Sequence, residues 1–206
     1  MSSAPFLLQP SYPAAALPVE RGNSPLPGLL SAWLPALLFA LVFAVESTPT
    51  FGADRTSAPV HDLLRSLLSA HQGIVLDAHW SELHHLLRKT GHFLAYGAFS
   101  LVAFQGLRQT LRSLSLRGII QGMTRKWTQL ASHGLAVFTA FLIANADEIH
   151  QTFLPNRTGC FSDVVLDTSG AIAFQLALAG VLHLVAQYRK TSSTGSFILL
   201  NIRAAA

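Results

Sequence analysis

The sequence predicts an all-α, polytopic membrane protein with four transmembrane helices and a short amphipathic interfacial helix in the first outer loop. Three observations carry this. Of 206 residues, 50% are hydrophobic and only 12% charged, against roughly 25% charged in soluble domains. Mean hydropathy is positive, at +0.41. Four windows free of Asp, Glu, Lys and Arg are long enough to cross a ~30 Å hydrocarbon core at about 1.5 Å per helical residue. Buried helices of a soluble protein would need an amphipathic polar face, and these windows have none.

Residues 1–28 are rich in Pro, Ala and Ser and lack a basic n-region, so they read as a disordered leader rather than a cleaved signal peptide. The first window, Leu29–Val45, follows Pro27 and is closed by Glu46-Ser-Thr-Pro49. In the stretch after it, Val60–His71, residues Val60, Leu63, Leu64, Leu67 and Leu68 fall on one helical face. This predicts a short amphipathic helix lying in the interface or capping the bundle, broken near Gly73. A second helical run begins near Trp80 and continues into the second window, Thr90–Leu107, with Gly91 its weak point. The third window is Trp127–Ala146 and the fourth Thr168–Tyr188. Residues 29–188 form one domain, and 189–206 a C-terminal tail. Ser132, Ala136, Ala140 and Ala144 on the third span, and Ser169, Ala173 and Ala177 on the fourth, are small-residue seams along which helices can approach in lipid.

Charge sets the orientation. The pI of about 9.7 does not indicate nucleic-acid binding, because the basic residues gather between apolar segments. Arg108, Arg112, Arg117, Arg125 and Lys126 occupy the second-to-third connection without an acid, which predicts a cytoplasmic loop. With four spans, both termini then lie in the cytoplasm and the other two loops face outward. The single cysteine, Cys160, excludes an internal disulfide framework.

The polar residues converge on the outward end. His85, Lys89, His92 and Tyr96 are spaced by four, three and four, which places them on one helical face, with Arg88 at its flank. Asp147, Glu148, His150 and Gln151 close the third helix, and Asp163 and Asp167 stand one turn apart on the fourth. One reading makes the set salt bridges and N-caps that pin helix ends. Against it, His92 and Tyr96 lie a turn or more inside the span, where ionisable and polar groups mark function. In the functional versions, Arg88, Lys89 and Arg157 bind an anionic group, or a His/carboxylate pair performs acid–base chemistry. A divalent cation on His92, Glu148, His150 and Asp163 lacks a supporting ligand spacing, so no metal or cofactor is expected.

Arg88–Tyr96 (RKTGHFLAY) together with Asp147–Ala171 (DEIHQTFLPNRTGCFSDVVLDTSGA) resembles the VanZ-like membrane protein family. The matching positions are Lys89, His92, Phe93 and Tyr96 in the first segment. In the second they are Asp147, Glu148, Gln151, Phe153, Pro155, Arg157 and Asp163, with Asp167 where the family has Asn or Asp. Ala95 stands where the family often has Glu. The resemblance implies a bacterial inner-membrane protein, linked through the family's founding member to resistance to teicoplanin-type glycopeptides. The leading expectation is a cell-envelope protein whose outward polar pocket engages a lipid-linked or cell-wall-related anionic ligand, with the bilayer and no nucleic acid as partners. Its candidate residues are Arg88, Lys89, His92, Tyr96, Asp147, Glu148, Gln151, Arg157, Asp163 and Asp167. The alternatives are a membrane enzyme, hydrolase or transferase, acting on a lipid-linked substrate, and a non-catalytic assembly partner.

Overall fold

The computed structural model describes residues 26–154 and 159–204, with side chains described from 28 to 191 except at 51, 53 and 54. Among these residues all regular secondary structure is helical, in the order α1 (Leu26–Glu46), a single 3-10 turn (Pro49–Phe51), α2 (Ala53–Leu67), α3 (Ala70–Leu116), α4 (Arg125–Thr152) and α5 (Phe161–Ala204). The expected leader falls almost wholly outside the described residues.

Among the described residues three helices are long and apolar enough to cross a membrane: Gly28–Glu46 of α1, all of α4, and Phe161–Thr191 of α5. Their outer faces carry bare large side chains, among them Leu30, Leu34, Leu37 and Leu41 on α1, Phe138 and Leu142 on α4, and Leu176 and Leu184 on α5. Exposed apolar area on this scale suits lipid rather than water. The expected second span, Thr90–Leu107, lies inside α3, which does not reach the same apolarity. His92, Tyr96 and Gln105 fall within its most apolar stretch.

α3 is the axis of the bundle and packs on α5, α4 and α1, while α4 and α5 also pack on each other. The core runs along it: Phe43 of α1 stacks on Tyr96 at 4.4 Å between ring centroids, and Phe99, Ala103 and Phe104 continue the line. The α4 seam is as expected, since Ser132, Ala136, Ala140 and Ala144 are all fully buried. The α5 seam is not. Ser169, Ala173 and Ala177 are exposed, and α5 instead turns Val164, Asp167, Gly170, Ala171 and Gln175 inward. A regular four-residue repeat of small residues identifies a possible seam but not which side of the helix meets a neighbour. The closest approach on α5 is Gly170, where an added Cβ would sit 2.2 Å from the Phe93 carbonyl oxygen on α3.

The outer hairpin also differs from expectation. The break falls at Ser69, not at Gly73. Leu68 is extended, and Ser69 and Gln72 form a capping box, with Gln72 Oε1 accepting from Ser69 N at 3.1 Å and Ser69 Oγ accepting from Gln72 N at 3.4 Å. That reciprocal cap satisfies two orphan donors and starts α3 about ten residues before Trp80. Gly73 is buried because the Arg65 guanidinium of α2 lies over it; a Cβ there would be 1.6 Å from an Arg65 nitrogen. α2 itself starts at Ala53, earlier than Val60. Gly91 leaves α3 unbroken, so its 47 residues form a rod of about 70 Å at about 1.5 Å per residue, more than twice the hydrocarbon thickness. α5 likewise continues through Arg189 as one helix to Ala204.

Candidate functional site

Four helices bring polar groups to one end of the bundle: the C-terminal end of α1, the middle of α3, the last turns of α4 and the first turns of α5. Two cavities open there. The first, about 330 Å³, lies between α1, α2, α3 and α4, with Glu46, Ser47, Arg88, Tyr96, Asp147 and Gln151 among its polar lining and Phe43, Val60 and Leu87 among its apolar lining. The second, about 320 Å³, lies between α3 and α5 and is lined by Ser81, His84, His85, Arg88, Lys89, His92, Asp163, Leu166 and Asp167. His84, Arg88 and His92 line both, so one face of α3 forms the wall between them.

That wall follows from helical geometry. His84, Arg88, His92 and Tyr96 repeat every four residues, and such positions stack on one face. The face assigned from sequence began at His85 and put Lys89 at its centre. In the structure His85 and Lys89 look toward α5 and reach only the second cavity, while Arg88 is central. His84 was the residue missed, although its spacing to Arg88 and His92 is present in the sequence.

Across the second cavity, Lys89 pairs with Asp163, both about one-third exposed, and His92 Nδ1 faces Asp167 Oδ2 at 3.5 Å. Asp167 is 1% exposed, and its other oxygen has no hydrogen-bond partner among the described residues. Tyr96 is buried to the same degree, and its hydroxyl likewise lacks one. A buried polar group left unpaired typically costs about 1–3 kcal/mol, so two at one site mark a place where stability yields to something else. His84 sits just outside the apolar stretch. Its own desolvation, then the charges of Arg88 and His85, hold its imidazole below the ordinary histidine range.

The α4 acids part company. Asp147 and Gln151 are one turn apart, hydrogen-bonded at 2.8 Å (Gln151 Nε2 to Asp147 Oδ2), and both line the first cavity. Glu148 lies about 100° further round the helix and lines neither cavity. It is buried, and its Oε2 accepts the Cys160 backbone N–H at 2.6 Å. Gly159 packs so closely on the Glu148 carbonyl that a Cβ would sit 2.4 Å from its oxygen. His92 and Asp163 thus share the second cavity, while Glu148 holds the Cys160 backbone just before α5. Lys89 pairs with Asp163 on α5. Arg157 and Pro155 lie outside the described residues. Among the described residues no group of three or more His, Cys, Asp and Glu is arranged to hold a metal ion. His150 instead meets α1, with its Nδ1 at 2.8 Å from the Ser47 hydroxyl.

A family model described as VanZ/LLP1 matches residues 31–182, which spans most of α1 through the first half of α5 and includes every residue of the two cavities. The chain belongs to the VanZ/LLP1 family. No curated protein and no solved structure matches it. Within this VanZ-like chain the two motif segments occupy distinct places. The first forms the wall between the cavities and the second supplies α4 and α5 residues on either side of it. The association with teicoplanin-type resistance is a property of the family.

Proposed function

We propose that this VanZ-like chain is a four-span protein of the bacterial inner membrane that holds an anionic, amphipathic, lipid-linked ligand in its two adjoining cavities. The observation that carries this is the shared wall of His84, Arg88 and His92. It faces the second cavity, where Arg88 and Lys89 stand with Asp163 and Asp167, on one side and the apolar Phe43–Val60–Leu87 flank of the first cavity on the other. A headgroup bearing phosphate or carboxylate suits the second cavity, through charge-assisted hydrogen bonds to Arg88 and to Lys89, the latter exchanging Asp163 for the ligand. The apolar part of the same molecule suits the first cavity.

In this reading Thr90–Leu107 also crosses the membrane, as the second of four spans. Arg108, Arg112, Arg117, Arg125 and Lys126 keep their end in the cytoplasm, both termini are cytoplasmic, and the cavities open outward. α2 rests in the interface. Native mass spectrometry of the purified protein tests the ligand. Phosphatidylglycerol should remain bound in preference to phosphatidylcholine, and Arg88→Ala should remove that preference while the protein stays folded. Equal retention of both lipids by the unaltered protein would end the proposal. Exposed Cys160 tests the orientation, since an impermeant thiol reagent should label it in intact cells.

A further inference from the structure

Ser47 differs from most hydroxyls on these helices. Thr48, Ser66, Thr110, Ser132 and Thr139 each donate to a carbonyl three or four residues back, as helical Ser and Thr commonly do. Ser47, just past the end of α1, instead meets His150 Nδ1 at 2.8 Å, across 103 residues of chain. It is 4% exposed and yet lines the first cavity. A hydroxyl within about 2.6–3.2 Å of an imidazole nitrogen is the arrangement that activates a serine nucleophile. The same cavity holds the Arg88 guanidinium, the Tyr96 hydroxyl, which has no hydrogen-bond partner among the described residues, and the apolar flank of Phe43, Val60 and Leu87.

We propose that Ser47 and His150 form a nucleophile–base pair that cleaves an ester bond of an amphipathic substrate bound in the first cavity. The proposal rests on the reading of that cavity as a ligand site. His150 carries its proton on Nε2 and takes the Ser47 proton on Nδ1 as Ser47 Oγ bonds to the ester carbonyl carbon. The carbonyl electron pair moves onto oxygen, which Tyr96 and Arg88, two of the donors lining the cavity, would stabilise. When the tetrahedral centre collapses, the ester C–O bond breaks and His150 returns the proton to the leaving alcohol. Water then repeats the sequence on the acyl-serine, releasing a carboxylic acid and restoring the Ser47 hydroxyl. His150 is exposed, so water solvates the imidazolium formed in each half-reaction. The flank of Phe43, Val60 and Leu87 suits the acyl chain, which makes acyl-ester lipids the substrate class.

The test uses the whole purified chain in lipid nanodiscs, a fluorophosphonate probe and peptide mapping. The expected result is an adduct on Ser47 Oγ, none in Ser47→Ala, and formation slowed by about 100-fold in His150→Ala. Hydrolysis of a p-nitrophenyl acyl ester should fall in parallel. A helix tie without nucleophilic character gives no adduct at Ser47, or one formed equally fast without His150, and either result overturns the proposal. Phosphatidylglycerol retention, measured on the same samples, separates the two levels. Retention without an adduct removes the nucleophile and leaves the ligand site standing. No retention by the unaltered protein removes the cavity reading itself.

Discussion

Gly170→Ala should loosen the α3–α5 seam and, through it, the candidate site. The added Cβ would lie 2.2 Å from the Phe93 carbonyl oxygen, 3.0 Å from its carbon and 3.1 Å from its Cα. Ordinary contact begins near 3.4 Å, so α5 must retreat by at least 3.4 − 2.2 = 1.2 Å at this point. The obstacle is backbone, which cannot rotate aside like a side-chain tip. Overpacking of this kind costs about 1–3 kcal/mol, and the rigid partner places Gly170 toward the upper end. Asp167 lies one turn before Gly170 and His92 immediately precedes Phe93, so the same retreat separates His92 from Asp167. Thermal unfolding in detergent measures the first effect, and loss of bound phosphatidylglycerol the second. Gly180→Ala is the control, because nothing lies within 4 Å of its Cβ position. Equal melting temperatures for the two alanine variants would refute the seam.

Other consequences are direct. Ala140→Leu should cost at least about 1–3 kcal/mol by overpacking a fully buried seam, whereas Ala173→Leu on the exposed face should stay within about 0.5 kcal/mol; comparable losses would show that α5 packs the other way round. A double-mutant cycle on Lys89 and Asp163, both about one-third exposed, should give a coupling of about 1 kcal/mol or less, and about 3 kcal/mol or more would mark a truly buried pair. His84 holds its proton less readily folded than unfolded. Acidification through the ordinary histidine range therefore favours the unfolded chain, and His84→Ala should flatten that part of the stability–pH curve. An unchanged slope would show that His84 is no harder to protonate folded than unfolded.

Much of this architecture is visible in the one-dimensional pattern. The acid- and base-free windows locate α1, α4 and α5, and the four-residue repeat of Ser132, Ala136, Ala140 and Ala144 identifies the α4 face that is buried. The motif segments locate the end of the bundle where polar groups gather. Three features escaped for physical reasons. On α5, exposed Ser169, Ala173 and Ala177 are as small as true seam residues, and only the close approach of Gly170 to Phe93 distinguishes the packed face. Glu148 and Asp147 are adjacent acids, and the helical rotation between them sends one to the cavity and the other to the Cys160 backbone. The Ser47–His150 contact joins residues 103 apart, and nothing in either local sequence announces it. The hairpin break was legible in principle, since Ser69 and Gln72 have capping-box spacing, but Gly73 is the stronger apparent breaker. Its role became evident only from Arg65 lying across it.

The most direct test is an experimental structure of the full chain purified into nanodiscs containing phosphatidylglycerol. The account predicts density for an anionic headgroup against His84, Arg88 and His92, with an acyl chain running past Phe43 and Leu87. Empty cavities with His92 turned outward into lipid would contradict it and leave these polar residues as pins at the helix ends.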